Sequence, residues 1–129
     1  MSFFNRIFKN SPTKEPLKTF INWIPLNTIE QLETIKEQSK KEPIAIFKHS
    51  TRCGISNMII KKFEKSFDKE LQHFKIYYLD LLNYREISNE ISYTFQVIHQ
   101  SPQILIIKNE ETIVHESHYN ILQINLKSF

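Results

Sequence analysis

The only cysteine of this 129-residue chain, Cys53, is followed directly by its only glycine, Gly54, in the run Lys48-His49-Ser50-Thr51-Arg52-Cys53-Gly54-Ile55-Ser56. Cysteine chemistry runs through the thiolate, and a free thiol is mostly protonated at neutral pH. Immediately after Cys53 the chain takes on an apolar helical pattern. Ile55, Ile59, Phe63 and Phe67 stand at i+4 steps, Met58 and Ile60 flank them, and Lys61, Lys62, Glu64 and Lys65 face the other way. This pattern predicts that Cys53 sits at a helix N-terminus, where unpaired backbone N–H groups and the positive end of the dipole favour an anion. Arg52, His49 and Lys48 add positive charge nearby, and comparable sites bring a cysteine to a pKa of about 3.5 to 7.5. Ser56, one turn on, is placed to donate a hydrogen bond to the sulfur. The competing reading is a buried, inert cysteine, against which the polar loop before it weighs. A lone glycine beside the lone cysteine points to backbone freedom or to the close approach of a partner; chance placement is the alternative.

The elements that must carry this segment are read from periodicity and punctuation. Asn10 to Pro16 is a polar, proline-marked linker, so residues 1–16 are expected to be a tail and residues 17–129 the folded domain. Phe20 to Ile24 forms a short first strand stopped at Pro25. Asn27 and Glu30 stand at capping-box spacing before a helix to about Lys40, with Ile29, Leu32 and Ile35 on its apolar face. Ile44-Ala45-Ile46-Phe47 is a second, buried strand, leading through a loop from Lys48 to Arg52 into the helix that begins after Cys53. Phe74 to Leu79 is the third strand, closed by Asp80, and Tyr84 to Phe95 the third helix. Ser101-Pro102 leads into a fourth strand, Gln103 to Lys108, which turns at Asn109-Glu110-Glu111 into an antiparallel partner, Thr112 to His115. A last helix begins near Asn120. The order βαβαβαββα predicts an α/β fold, a mixed central sheet with helices on both faces.

That order, with Cys-x-x-Ser between the second strand and second helix and Ser-Pro just before the fourth strand, resembles thioredoxin-like proteins. The run Phe47 to Ser56 resembles more closely the active-site segment of the YtxJ-type monothiol bacilliredoxins, proteins associated with bacillithiol. Trp23, Gln100-Ser101-Pro102-Gln103 and Ser117-His118-Tyr119-Asn120-Ile121 agree with it, so the resemblance spans about residues 21–126. Gly54 departs from it, standing where proline is common in that family. The resemblance implies that Cys53 is the nucleophile and that Ser56 occupies the place of a resolving cysteine. With no second thiol in the chain, a mixed disulfide on Cys53 needs an outside thiol for its release. The implied activity is removal of bacillithiol, or a similar low-molecular-weight thiol, from S-thiolated client proteins. Bacillithiol or another redoxin then serves as reductant, and no bound cofactor is needed. The resemblance also implies a cis Ser101–Pro102 bond beside the cysteine that presents Ser101 to an extended thiol-bearing chain; otherwise Pro102 merely opens a strand. Lys48 and Arg52 are either contacts for a carboxylate of the small thiol or solvated loop charges. His118 lies near the site or makes a structural hydrogen bond, and Trp23 and Tyr119 read as packing residues.

Composition narrows the field. A net charge of +3, from 17 basic and 14 acidic residues interspersed along the chain, describes a solvated surface and not a nucleic-acid module. No apolar run approaches the roughly 18 residues of a membrane span. The segment Phe3 to Lys9 is too short and polar for a secretory core; it reads as a tail, or as one or two amphipathic turns. A single cysteine excludes an internally disulfide-stapled scaffold, and cytoplasmic location is the default. His49, His99, His115 and His118 show no metal-ligand spacing with Cys53, so no metal is expected. Two other functional classes stay open beside the exchange enzyme: a thioredoxin-fold binding module with an incidental cysteine, and a redox sensor that stores a thiol cap.

Overall fold

The computed structural model describes residues 19–129; the tail and linker expected over residues 1–16 lie outside the described residues. Five strands form one sheet in the order β1-β3-β2-β4-β5. They are β1 (Trp23–Pro25), β2 (Ile44–His49), β3 (Lys75–Asp80), β4 (Gln103–Lys108) and β5 (Glu111–Ser117). β1 and β2 run parallel to β3, while β4 is antiparallel to both β2 and β5. The helices are α1 (Glu30–Ser39), α2 (Gly54–Ser66) and α3 (Arg85–Phe95). No described helix is long and apolar enough to cross a membrane.

β2 lies at the centre and is buried along its whole length. Its side chains alternate between two cores, as the period of two demands. Ala45 and Phe47 face α2, where Ile59, Ile60 and Phe63 meet Ile104 and Ile106 of β4. Ile44 and Ile46 face α1 and α3, where Leu32, Ile35, Ile87, Ile91 and Phe95 meet Leu79, Leu105 and Ile107. The strand that positions the cysteine loop is therefore held from both sides.

Several boundaries differ from the sequence expectation, each for a local reason. The α1 entrance uses Thr28 and Gln31 instead of Asn27 and Glu30: the Gln31 side-chain oxygen accepts the N–H groups of Asn27 (2.7 Å) and Thr28 (2.9 Å). β2 runs on to His49, so Lys48 belongs to the strand and not to the loop. Ile55 is exposed on α2, where Ser56 instead turns inward. The β4–β5 turn uses Asn109 and Glu110, both at positive φ. Ser39 pins that turn, its carbonyl accepting from Asn109 N–H and its hydroxyl from Glu110 N–H, both at 2.8 Å. The expected last helix is two 3₁₀ segments, His118–Gln123 and Leu126–Ser128. Buried Ile121 and Leu126 are five residues apart, a spacing that builds no α-helical stripe.

Candidate active site

Cys53 is the N-cap of α2, in extended conformation (φ −104°, ψ 121°), half-buried and unpaired as a thiol. Its side chain accepts no capping hydrogen bond, and the first turn of α2 carries no acidic residue. A thiolate there meets the helix N-terminus without an opposing carboxylate in that turn. Gly54 needs no special backbone angle, and a β-carbon on it would meet nothing within 4 Å. Backbone freedom is therefore not what Gly54 supplies, and the space over it is open among the described residues.

Ser56 is fully buried, and its hydroxyl accepts the Ser50 backbone N–H at 3.1 Å. The expected donation to sulfur is absent among the described residues, because the side chain turns instead to close the loop. Asn57 does similar work: its side-chain Nδ2 donates to the Thr51 carbonyl (3.2 Å), while its backbone N–H donates to the Cys53 carbonyl (3.0 Å). With Cys53 N–H bonded to Ser50 O at 3.2 Å, the loop is fastened at Ser50, Thr51 and Cys53.

Beneath the loop, His49 Nε2 lies 2.8 Å from Asn57 Oδ1 and its Nδ1 2.6 Å from the Tyr78 hydroxyl. Burial pulls this imidazole below its ordinary pKa, against the Asn57 bond and the charges of Asp80 and Glu64. At neutral pH His49 is thus uncharged, and the expected contribution of positive charge from it is corrected. The Tyr78 ring meets Trp23 edge-on at 5.6 Å, and Trp23 packs in the same way on Phe47. The Trp23 indole N–H donates to Glu64 at 2.6 Å. Trp23 is therefore a packing residue with a polar anchor, whereas Tyr119 is exposed and not a packing residue.

Lys48 requires a larger correction. It is fully buried, and its Nζ has no hydrogen-bond partner among the described residues. Desolvation brings its pKa down to about 8. The parity of β2 explains the burial, since Lys48 follows Ile44 and Ile46 on the α1–α3 face. A ligand carboxylate cannot reach the ammonium in this arrangement. Arg52, by contrast, is exposed next to Cys53.

The Ser101–Pro102 peptide bond is cis. The β2–β4 register pairs Lys48 with Gln103, which sets Pro102 at the level of the strand end from which the cysteine loop leaves. Pro102 is buried and its carbonyl accepts the His118 N–H at 3.1 Å; the His118 side chain itself is exposed. The Ser101 hydroxyl is buried without a partner among the described residues. Of the residues expected at the site, Cys53, Gly54, Ser56 and Arg52 stand together where β2 leads into α2, whereas Asn57 and Tyr78 were not expected there. Asn57 carried a signal of its own, a polar residue in the first turn of an apolar helix; Tyr78 carried none apart from its neighbour strand.

Comparison with known proteins agrees with this geometry. Solved structures with the same fold include one described as a putative oxidoreductase with a thioredoxin fold, 30% identical with a TM-score of 0.66, covering 78% of this chain and 88% of that one. The thioredoxin of Trypanosoma brucei brucei is 19% identical with a TM-score of 0.63, covering 83% of this chain and 88% of its own. That of Malassezia sympodialis is 20% identical with a TM-score of 0.63, over 81% and 85%. These last two attest the fold alone. A family model described as monothiol bacilliredoxin BrxC matches residues 24–126, from β1 to the final 3₁₀ turn. A lone cysteine capping α2 of a thioredoxin fold, within a match of that extent, makes this chain a member of the monothiol bacilliredoxin family, with a thiol redox role.

Proposed function

We propose that the protein is a monothiol thiol–disulfide exchanger that removes bacillithiol, or a similar low-molecular-weight thiol, from mixed disulfides on client proteins. The observation that carries this reading is the position of Cys53 as an uncapped, half-exposed N-cap of α2 in a chain without a second thiol. In the first step the Cys53 thiolate attacks the small-thiol sulfur of the client disulfide. That S–S bond breaks, the client leaves as thiolate and takes up a proton, and Cys53 holds the small thiol as a new disulfide. In the second step an outside thiolate, from free bacillithiol or another redoxin, attacks the transferred sulfur. Cys53 thiolate is regenerated and a new disulfide leaves, to be reduced elsewhere.

The other residues support these steps without doing the bond making. Ser56, in the place of a resolving thiol, holds the loop through Ser50 and offers no internal escape from the mixed disulfide. The open space over Gly54 admits the incoming thiol, and Arg52, exposed next to Cys53, offers its guanidinium to a carboxylate of that thiol. Ser101 and Pro102, at the adjacent strand end, form the wall along which a thiol-bearing chain lies. A chain with a single reactive thiol fits the reducing cytoplasm.

The test is incubation of a bacillithiolated client with catalytic amounts of wild type or Cys53→Ala, with added bacillithiol, reading client thiol by mass spectrometry. Many client thiols freed per protein, and none with Cys53→Ala, is the expected result. Capture of one equivalent without regeneration would replace the exchanger by a redox sensor, and no transfer at all would leave a binding module.

A further inference from the structure

His49 is the last residue of the central strand β2, and its two ring nitrogens have different partners on two other elements. The partner atoms fix its protonation pattern. The Asn57 side-chain amide is oriented by its Nδ2 bond to the Thr51 carbonyl, so the atom it presents to His49 is the oxygen, which only accepts. His49 Nε2 must therefore carry the hydrogen. In the neutral ring Nδ1 is then a bare acceptor, and the Tyr78 hydroxyl at 2.6 Å donates to it. Tyr78 is in turn fixed by its edge-on contact with Trp23. A continuous series runs from the sheet through Tyr78, His49 and Asn57 to Thr51, two residues before the nucleophile.

We infer that His49 is a positioning residue for Cys53, locking the Asn57 amide that ties the Thr51 carbonyl, and hence the nucleophile loop, to the first turn of α2. The inference rests on Cys53 being the nucleophile of the proposed exchange. Asn57 is the hinge of the arrangement because three of its groups act together. Its Oδ1 holds His49, its Nδ2 holds Thr51, and its N–H holds the Cys53 carbonyl. Without the His49 bond the amide is free to rotate, and the Thr51 bond weakens with it. Catalysis by orientation is sensitive to such loosening, since a displacement of about 1 Å at the reacting atom costs up to roughly a hundredfold in rate.

Two substitutions separate the two bonds of the ring. His49→Gln puts an amide nitrogen where Nε2–H stands and keeps the link to Asn57. His49→Asn reaches only to the position of Nδ1 and keeps the link to Tyr78. The readout is the second-order rate of Cys53 with iodoacetamide and with a small disulfide, each measured across pH so that thiolate fraction and thiolate reactivity are separated. His49→Asn and Asn57→Ala are expected to slow the fully ionised thiolate about tenfold each, the combination no more than either alone, and His49→Gln to stay within about threefold of wild type. Equal loss in His49→Asn and His49→Gln, or a multiplied loss in the combination, overturns the positioning role. In the unsubstituted protein, ¹⁵N NMR of the imidazole must show hydrogen on Nε2 and none on Nδ1 at neutral pH; the opposite tautomer overturns the inference whatever the variants do. Wild-type Cys53 reacting no faster than free cysteine would instead remove the nucleophile reading, a different failure from equal loss in the two His49 variants.

Discussion

Lys48→Met isolates the cost of one buried charge. The ammonium is fully buried and without a hydrogen-bond partner among the described residues, and desolvation brings its pKa from 10.5 to about 8. At about 1.4 kcal/mol per pH unit, this corresponds to roughly 3 kcal/mol against the charged form in the folded state. Methionine keeps the unbranched stem in the apolar space and removes the charge. Part of the penalty is already relaxed around the native lysine, so the expected gain at pH 7 is about 1 to 3 kcal/mol. For a domain of this size that raises the midpoint of thermal unfolding by roughly 4 to 12 °C.

The pH dependence supplies the sharper check. Below pH 8 the lysine is protonated in both folded and unfolded chains, and the whole penalty is present. Between about pH 8 and 10.5 the unfolded chain still binds the proton while the folded chain has released it, so stability rises with pH there. Above that range neither form is charged and the penalty is gone. Tyr77 and Tyr78 act in the opposite sense near pH 10, since burial raises both phenols. They are common to both proteins, so the difference between wild type and Lys48→Met reports Lys48 alone. Urea unfolding at pH 7 and pH 9.5 should therefore show a large advantage for the variant that shrinks at the higher pH. A variant less stable than wild type by more than about 1 kcal/mol at pH 7 would mean that the ammonium has a compensating partner, and would refute the reasoning.

Other substitutions probe the site from the cysteine outward. Ser56→Cys places a thiol at the third helical position opposite the N-cap Cys53, and mild oxidation should close an internal disulfide, read as loss of both free thiols; two free thiols in a folded protein would show that the side chains diverge. The same variant gives up the bond to Ser50 N–H, and its reduced form should unfold about 1 kcal/mol more easily in urea. Gly54→Ala meets no neighbour within 4 Å at an ordinary helical position and should stabilise by about 0.4 to 1 kcal/mol, visible as a rise in the urea midpoint; destabilisation would point to a hidden contact of the backbone. Phe63→Ala empties the junction of Trp23, Phe47 and Phe67 and should cost about 3 to 5 kcal/mol in chemical denaturation, a loss below 1 kcal/mol being incompatible with that packing.

How legible each feature is in the sequence depends on how local its signal is. Pro102 announces the start of β4 because proline punctuates the chain whatever surrounds it, and the i+4 series after Cys53 announces α2 because one face of a helix is written in its own residues. Ile55 matched that series and is nonetheless exposed, since in the first turn of α2 it is Ser56 that turns inward. Lys48 read as the first residue of a loop because a charge normally ends a buried run. Its parity with Ile44 and Ile46 was the available sign that it points inward. His49 and Tyr78 are separated by 29 residues and meet only because β2 and β3 pair in the register that sets His49 against Asp80. No property of either segment alone discloses that contact.

The two residues that sequence reasoning placed least well are adjacent, and they end the same strand. Lys48 and His49 are both buried and polar, and the alternation of β2 sends them to opposite faces of the sheet immediately before the loop that bears Cys53. The earlier four residues of the strand are apolar and fill the two cores, so fold stability alone would favour continuing that pattern. On one face an ammonium without a hydrogen-bond partner among the described residues is expected to weaken the fold, and on the other an imidazole with both nitrogens bonded is expected to stiffen the end of the strand. A destabilising group tolerated beside a rigidifying one is expected where a chain holds a reactive side chain in a fixed geometry at the expense of maximal stability. Lys48→Met and His49→Asn test the two halves of that statement separately. The first should strengthen the fold and the second should leave a folded protein whose cysteine is slower. If both merely changed stability, the end of β2 would be an imperfection of packing and not part of the site.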